Sequence, residues 1–232
     1  MRFSTVLKRT IIALVLVCAI CLCYKVGVKK YKQNKLNKLT NIVFMGKAGS
    51  GKGTYGAKLA KEYNLYHMSS GQVLRDYIKN NENENSKKIS SIINEGKLIP
   101  DEITFEVLKE DIDKKVLCLR CKYKGIIFDG FPRNANSVRF FNDNNIKVYK
   151  AVNIDITDEE AIKRIKNRNE GRKDDQDINA IKQRLDIYHK QTKDVVVALT
   201  TELNNPNIVE VVNGMGTKDE VYESVKNVLN LK

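Results

Sequence analysis

The segment Gly46-Lys47-Ala48-Gly49-Ser50-Gly51-Lys52-Gly53-Thr54 decides the fold. It follows an apolar run, Asn41-Ile42-Val43-Phe44-Met45, and opens a helical pattern over 52–62. Glycine permits the backbone angles that turn several N–H groups inward onto one anion. A helix starting at that point adds the positive end of its dipole. Lys52 is spaced to bridge the outer phosphates of a polyphosphate, and the Thr54 hydroxyl to reach a magnesium shell. A glycine-rich turn at a strand end is the plain alternative. The strand before, the helix after and the lysine in place favour a phosphate-binding loop. Ser or Thr commonly follows the lysine directly; here Gly53 intervenes, giving GKGT.

Outward from this loop the pattern alternates. Short strands are expected near 66–68, at 125–129 (GIIFD), at 148–156 (VYKAVNIDI) and at 208–212 (IVEVV). Helical patterns fall at about 70–79, 86–95, 101–116, 134–143, 158–168, 177–203 and 217–231. Short apolar strands separated by helices predict an α/β fold: a three-layer parallel sheet of about five strands with helices on both faces. No internal repeat is present, and Asn80–Ser86 (NNENENS) is the one low-complexity patch.

The chain of 232 residues carries a net charge of +13, which resembles a nucleic-acid signal. Nine of those charges lie in residues 1–40, which contain no acid, so the rest of the chain is only modestly basic. That excess suits a handler of small polyphosphate anions and argues against a nucleic-acid partner. Three of the five cysteines, Cys18, Cys21 and Cys23, sit in one apolar run, and Cys118 and Cys121 form a lone CxxC. Zinc needs four ligands, and the two histidines, His67 and His189, lie far away in sequence. The CxxC is therefore read as incidental rather than metal-binding or redox-active, in keeping with a reducing compartment.

Residues 10–24 (TIIALVLVCAICLCY) carry no charge and are short for a bilayer span, which needs about 20 residues. Snorkelling by Lys25 adds Val26 to Val28 and completes one. A cleaved signal peptide and a buried soluble helix are the alternatives; the first has a poor cleavage pattern around Ala19 and Cys21, and the second lacks any polar face. More positive charge follows the run than precedes it, so the domain after it is expected on the cytoplasmic side. Residues 25–40 read as a basic linker able to lie on anionic head groups. The expected organisation is an anchor with linker over 1–40 and a catalytic domain over 41–232.

From Asn41 onward the chain resembles the adenylate kinase family of nucleoside monophosphate kinases and its UMP/CMP relatives. The resemblance is carried by GKGT, by His67-Met68-Ser69-Ser70-Gly71-Gln72-Val73-Leu74-Arg75, by Gly96-Lys97-Leu98-Ile99-Pro100-Asp101-Glu102 and, most specifically, by Asp129-Gly130-Phe131-Pro132-Arg133. It implies a P-loop NTPase fold and a reaction that moves the γ-phosphoryl group of ATP, with Mg2+, onto a monophosphate. It places Gly46, Ala48, Gly49, Ser50, Gly51, Lys52, Gly53, Thr54, Arg164, Arg168 and Gly214 on ATP. It places Ser70, Gly71, Arg75, Ile99, Gly130, Arg133, Asn136, Ser137, Arg172 and Arg184 on the acceptor. Thr54 and Asp129 hold magnesium, largely through water; Lys52, Asp129, Arg133, Arg168, Arg172 and Arg184 are the catalytic set. Where the family usually has proline, this chain has Ala48. One extra residue between Asp175 and Arg184 leaves Arg184 open to displacement.

The acceptor-binding part is expected at about 70–99 and a short lid at about 168–176, without the inserted domain that in some relatives carries zinc. A monomer is implied. An ionised phosphate oxygen is the nucleophile, so no strong base is required; fixed positive charge must offset the repulsion between two anions. The family's adenine-reading glutamine is absent: Asn134 follows Arg133, with Asn136 and Ser137 beyond. Family frequency favours AMP, whereas Asn134, Glu102-Ile103-Thr104 and Leu74-Arg75-Asp76 lean toward UMP or CMP. A membrane-tethered nucleotide-binding module with weak or no activity is the alternative of another class.

Overall fold

The computed structural model describes residues 5–94, 99–167 and 177–231. Five short strands, β1 (Asn41–Met45), β2 (Tyr66–Ser69), β3 (Ile126–Asp129), β4 (Val148–Asp155) and β5 (Val209–Asn213), form one sheet in the order β2-β3-β1-β4-β5, and all pairs are parallel. The connections between them run through helices α2 (Lys52–Tyr63), α3 (Ser70–Asn80), α4 (Glu84–Asn94), α5 (Asp101–Lys115), α6 (Arg139–Asp143), α7 (Asp158–Lys166) and α8 (Ile178–Glu202); α9 (Lys218–Leu229) closes the chain. The expected architecture is therefore present.

Side chains alternate across a strand, so one strand serves two cores. Val43, Met68, Phe128 and Ala151 face a core with α3, α5, α6 and α8. Ile42, Phe44, Ile127, Val152 and Ile154 face the other, with Leu59 of α2 and Val221, Tyr222 and Val225 of α9. A smaller cluster of Ala161, Ile165, Ile181 and Leu185 joins α7 to α8. The helical pattern expected at 134–143 is split into a 3-10 turn at Asn136–Val138 and the short α6, because Ser137 N–H and Oγ both turn back to Asn134 Oδ1.

The first helix, α1 (Thr5–Leu36), runs unbroken for 32 residues. Residues 11–27 are exposed all round, with Leu16 57 % and Ile20 68 % accessible. At Val28 this changes. Val28, Tyr31, Lys32, Lys35, Leu36 and Leu39 are shielded at helical spacing, and Leu36 and Leu39 enter the larger core. Lys32 pairs with Asp113 of α5 at 3.0 Å, and Lys35 Nζ donates to the carbonyls of Cys118 and Cys121 at 3.0 and 2.6 Å. The stretch read as a linker is thus helix as far as Leu36, and its inner face is packed on the α/β domain. The reading of the CxxC as incidental, in keeping with a reducing compartment, is also corrected: Cys118 and Cys121 form a disulfide. The turn closed by Cys121 N–H on the Cys118 carbonyl brings their Cα atoms to 5.3 Å, inside bonding range.

Candidate active site

The loops that leave the carboxyl ends of β1 and β3 open into one cleft of about 1350 Å3. This is the edge where open parallel sheets bind ligands. Two glycines show why the sequence turns as it does there. Gly46 has φ +136°, and a Cβ on it would lie 2.5 Å from the Ile154 carbonyl oxygen; Gly130 has φ +71°, with the Ser70 hydroxyl 3.3 Å from where its Cβ would be. Both positions refuse a side chain, so the loops can close against the sheet and against α3. Gly49 and Gly51 also have positive φ.

Lys52 Nζ lies against the loop itself, 2.6 Å from the Gly46 and Lys47 carbonyls and 3.3 Å from Ser50 Oγ. Ala48 and Thr54 line the same cleft. Asp129, at the end of β3, is buried, and its Oδ2 lies 3.1 Å from His67 Nε2. The same oxygen is 3.6 Å from where a Cβ on Gly53 would be, so the carboxylate sits beside the start of α2, next to Thr54. A hydroxyl and one carboxylate, with room for water, fit a hard divalent cation that keeps most of its oxygen shell from water and phosphate. Among the described residues no three His, Cys, Asp or Glu side chains gather at one point.

The guanidinium groups converge on Gly71. A Cβ there would lie 3.3 Å from Arg75 Nη1 and 3.8 Å from Arg133 Nη2. Arg75 Nη2 donates to Gln72 at 2.9 Å, Arg133 Nε to the Gly130 carbonyl at 2.9 Å, and Ser70 Oγ to the same carbonyl at 2.8 Å. Desolvation lowers the Arg133 pKa from its ordinary value; the positive charges of Arg184 and Arg75 push the same way, and Asp129 opposes them. Water still reaches Arg133 from the cleft, so the desolvation is partial and the group stays charged. Arg184, on α8, is thus close enough for its field to act on Arg133 despite the extra residue upstream.

On the other side of the cleft, Arg164 donates to Glu160 at 2.6 Å and to the Gly214 carbonyl at 3.0 Å. The Arg164 ion pair and hydrogen bond hold the Glu160 carboxyl below the usual range. Gly214 does not line the cleft. Its missing Cβ lets Ile154 and Ile156 pack close, and Gly216, Thr217 and Lys218 reach the cleft instead. Asn136 is likewise one step removed: it donates to Asp101 Oδ2 at 2.7 Å, while Ile99, Asp101, Thr104, Asn134 and Ser137 form the wall. Asp101 Oδ1 accepts from Asn134 at 3.2 Å and from Ser137 Oγ at 2.7 Å. Arg168, Arg172 and the expected lid lie outside the described residues.

Sequence reasoning missed His67 as the partner of Asp129, and Asp101 as the hub of the wall. It also missed Lys47. That side chain is buried and bonded to the Ile156 carbonyl at 2.6 Å and to Asp158 at 2.8 Å; Asp158 in turn meets His189 of α8 at 2.9 Å. Lys47 first, then His189, hold the Asp158 carboxyl below its ordinary range. Neither partner could be read from spacing, since Lys47 and Asp158 are brought together only by the adjacency of β1 and β4.

Residues 44–203 match the family model for adenylate kinase. The chain is 36 % identical over 198 residues to an adenylate kinase of Parabacteroides distasonis, covering 83 % of this chain and 98 % of that one. It is 33 % identical to one from Flavobacterium psychrophilum, covering 83 % and 99 %, and 29 % identical to one from Thermus thermophilus, covering 82 % and 97 %. The family-model match begins at Phe44, beyond α1, which ends at Leu36. With a cleft built from a glycine-rich loop, a strand-end aspartate and arginines drawn from three distant segments, the chain is an enzyme of the nucleoside monophosphate kinase class and belongs to the adenylate kinase family.

Proposed function

We propose that the protein catalyses reversible, Mg2+-dependent transfer of the ATP γ-phosphoryl group to AMP, giving two ADP. The observation that carries this reading is the approach of Arg75 and Arg133 to one point at Gly71, within the cleft that holds Lys52 and Asp129. A monophosphate there is gripped by two guanidinium groups while the glycine loop and Lys52 hold the donor. Thr54 and Asp129 would hold magnesium through water, and the ion would partly neutralise the donor phosphates.

The chain's own contribution is position and field. Arg75 orients the acceptor phosphate. Arg133 and Arg184 supply positive charge where negative charge spreads over the transferring group, and in a site closed to water that charge acts more strongly. Arg164, fixed by Glu160 and Gly214, offers a flat cationic face for the donor base. His67, hydrogen-bonded to Asp129, keeps that carboxylate aimed at the start of α2. No proton need be removed from the acceptor, so no strong base is needed. Arg168 and Arg172 are assigned to the lid side of the same charge set, by family resemblance.

One observation favours UMP or CMP instead. The wall made by Asp101, Asn134 and Ser137 contains no glutamine and offers both acceptor and donor atoms. A coupled assay with ATP and, in turn, AMP, UMP and CMP decides it. AMP as the fastest acceptor supports the reading; UMP or CMP faster by tenfold transfers it to the pyrimidine reading. ATP binding with no transfer to any monophosphate overturns both.

We further infer that α1 anchors the enzyme in a membrane. The exposed apolar helical stretch supports this. Residues 11–28, with Lys25 snorkelling to the head groups, span about 27 Å, close to a hydrocarbon core of about 30 Å. Exposed apolar surface this extensive is foreign to a water-facing helix. The catalytic unit is read as a monomer.

A further inference from the structure

The edge of the sheet opposite the cleft carries a second built surface. Residues 116–125 connect α5 to β3 there. Thr40 N–H donates to the Lys124 carbonyl at 2.9 Å, Asn64 Nδ2 to the Lys122 carbonyl at 3.0 Å and Tyr66 N–H to the Gly125 carbonyl at 2.9 Å. The connection is thus tied to the entries of β1 and β2. A Cβ on Gly125 would fall 1.8 Å from the Thr40 carbonyl oxygen, so the contact admits only glycine. Beyond this tied base the loop projects. The disulfide pinches its tip, which holds Leu119, 82 % exposed, and Arg120; Lys122, Tyr123 and Lys124 are exposed beside it.

The loop is fixed to α1 by Lys35, whose ammonium group bonds both cysteine carbonyls, and α5 is fixed to α1 by the Lys32–Asp113 pair. The helix therefore cannot swivel about a flexible joint. Lys35 lies seven residues past Val28, about 10 Å along the axis. The head-group layer extends about 5–7 Å beyond the hydrocarbon, and surface potential decays over about 8–10 Å. The loop lies within that range.

We propose that the 118–124 loop, with Lys25, Lys29 and Lys30 of α1, forms a membrane-contact surface for anionic lipid head groups. Leu119 would enter the interface, while Tyr123 stays against the Tyr66 ring at 5.5 Å, and Arg120, Lys122 and Lys124 face the phosphates. This rests on α1 being a membrane anchor. The consequence is orientation: the bilayer lies at the strand entries, and the nucleotide cleft, at the strand exits, opens away from it toward free nucleotides. Each basic residue near an anionic surface strengthens the contact about fivefold. Phe, Tyr and Leu beside such charges are the usual companions at the interface.

The natural chain has no tryptophan, so Leu119→Trp places a single reporter on the loop and Met215→Trp, near the cleft, a single control. The full chain is inserted into vesicles of phosphatidylcholine with 30 mol % phosphatidylserine and traces of head-group spin-labelled lipid. Flotation after alkaline wash is recorded for the same samples. Expected: the protein floats, the Leu119→Trp emission is quenched at least twofold more than that of Met215→Trp, and the excess falls in pure phosphatidylcholine. Arg120→Glu with Lys122→Glu and Lys124→Glu abolishes the excess and leaves flotation and phosphotransfer unchanged. Equal quenching at both positions in a floating protein overturns the contact surface and leaves the anchor standing. A protein that stays in the wash overturns both.

Discussion

The two edges of the sheet are both basic, and they use their charge in opposite ways. At the strand exits, Lys52, Arg75, Arg133 and Arg184 line one cleft from separate elements; the first three are held by backbone carbonyls or polar side chains, and desolvation first, then the field of Arg184 and Arg75, lowers the Arg133 pKa. At the strand entries, Arg120, Lys122 and Lys124 stand apart on one loop and point to solvent. Like charges repel, so the first arrangement costs stability, and a bound anion offsets that cost. The second costs nothing and suits a diffuse anionic surface. A net charge counts both alike; only placement separates them.

The comparison breaks first at Lys52. Lys52→Met is expected to lower kcat by about 10²-fold or more, as loss of a fixed electrostatic donor does, with an unchanged circular dichroism spectrum. Arg184→Ala is expected to follow, at about 10²-fold in kcat; a change confined to KM would show that Arg184 binds without acting on the transferring group. Next in size is Leu36→Ala, which empties a core position filled by α1. It is expected to destabilise the catalytic domain by about 2–4 kcal/mol in urea denaturation. No change would show that α1 merely rests on the domain.

Asp158 gives a smaller effect with a defined sign. Its pKa is lowered in the folded state by Lys47 and His189, so its stabilisation is complete above the ordinary value near 3.8 and is lost as pH falls through the lower folded value. Because the side chain is 41 % exposed, Asp158→Asn is expected to cost only about 1 kcal/mol at pH 7. The variant's acid-unfolding curve should be flatter below pH 4 than the parent's. Smallest of all, Arg120→Glu with Lys122→Glu and Lys124→Glu should change kcat in detergent by less than about twofold, since surface substitutions away from a site perturb little.

Much of the cleft was legible in the sequence because its chemistry is local. A phosphate loop needs its glycines and lysine within nine residues, and Asp129 through Arg133 carry a turn and two charges within five. What escaped is long-range. Asp101 meets Asn134, Asn136 and Ser137 across more than thirty residues, and Lys47 meets Asp158 across more than a hundred. The docked face of α1 had the right spacing in Val28, Tyr31, Lys32, Lys35, Leu36 and Leu39. Lysine at two of those six places hid it, because each pairs on the domain through its tip and buries only its stem. The cysteine pair read as incidental since a two-residue gap says nothing of whether a turn closes it.

The central claim, that convergent fixed charge in one cleft performs the transfer, meets its most direct test in Arg133→Ala. Phosphotransfer from ATP to each monophosphate and thermal unfolding are measured on one preparation. A fall in kcat of about 10²-fold or more is predicted, with a melting temperature equal to or above the parent's, because removing Arg133 relieves its desolvation and then its repulsion with Arg184 and Arg75. Undiminished transfer, or a loss of activity that merely tracks a loss of folding, would contradict it.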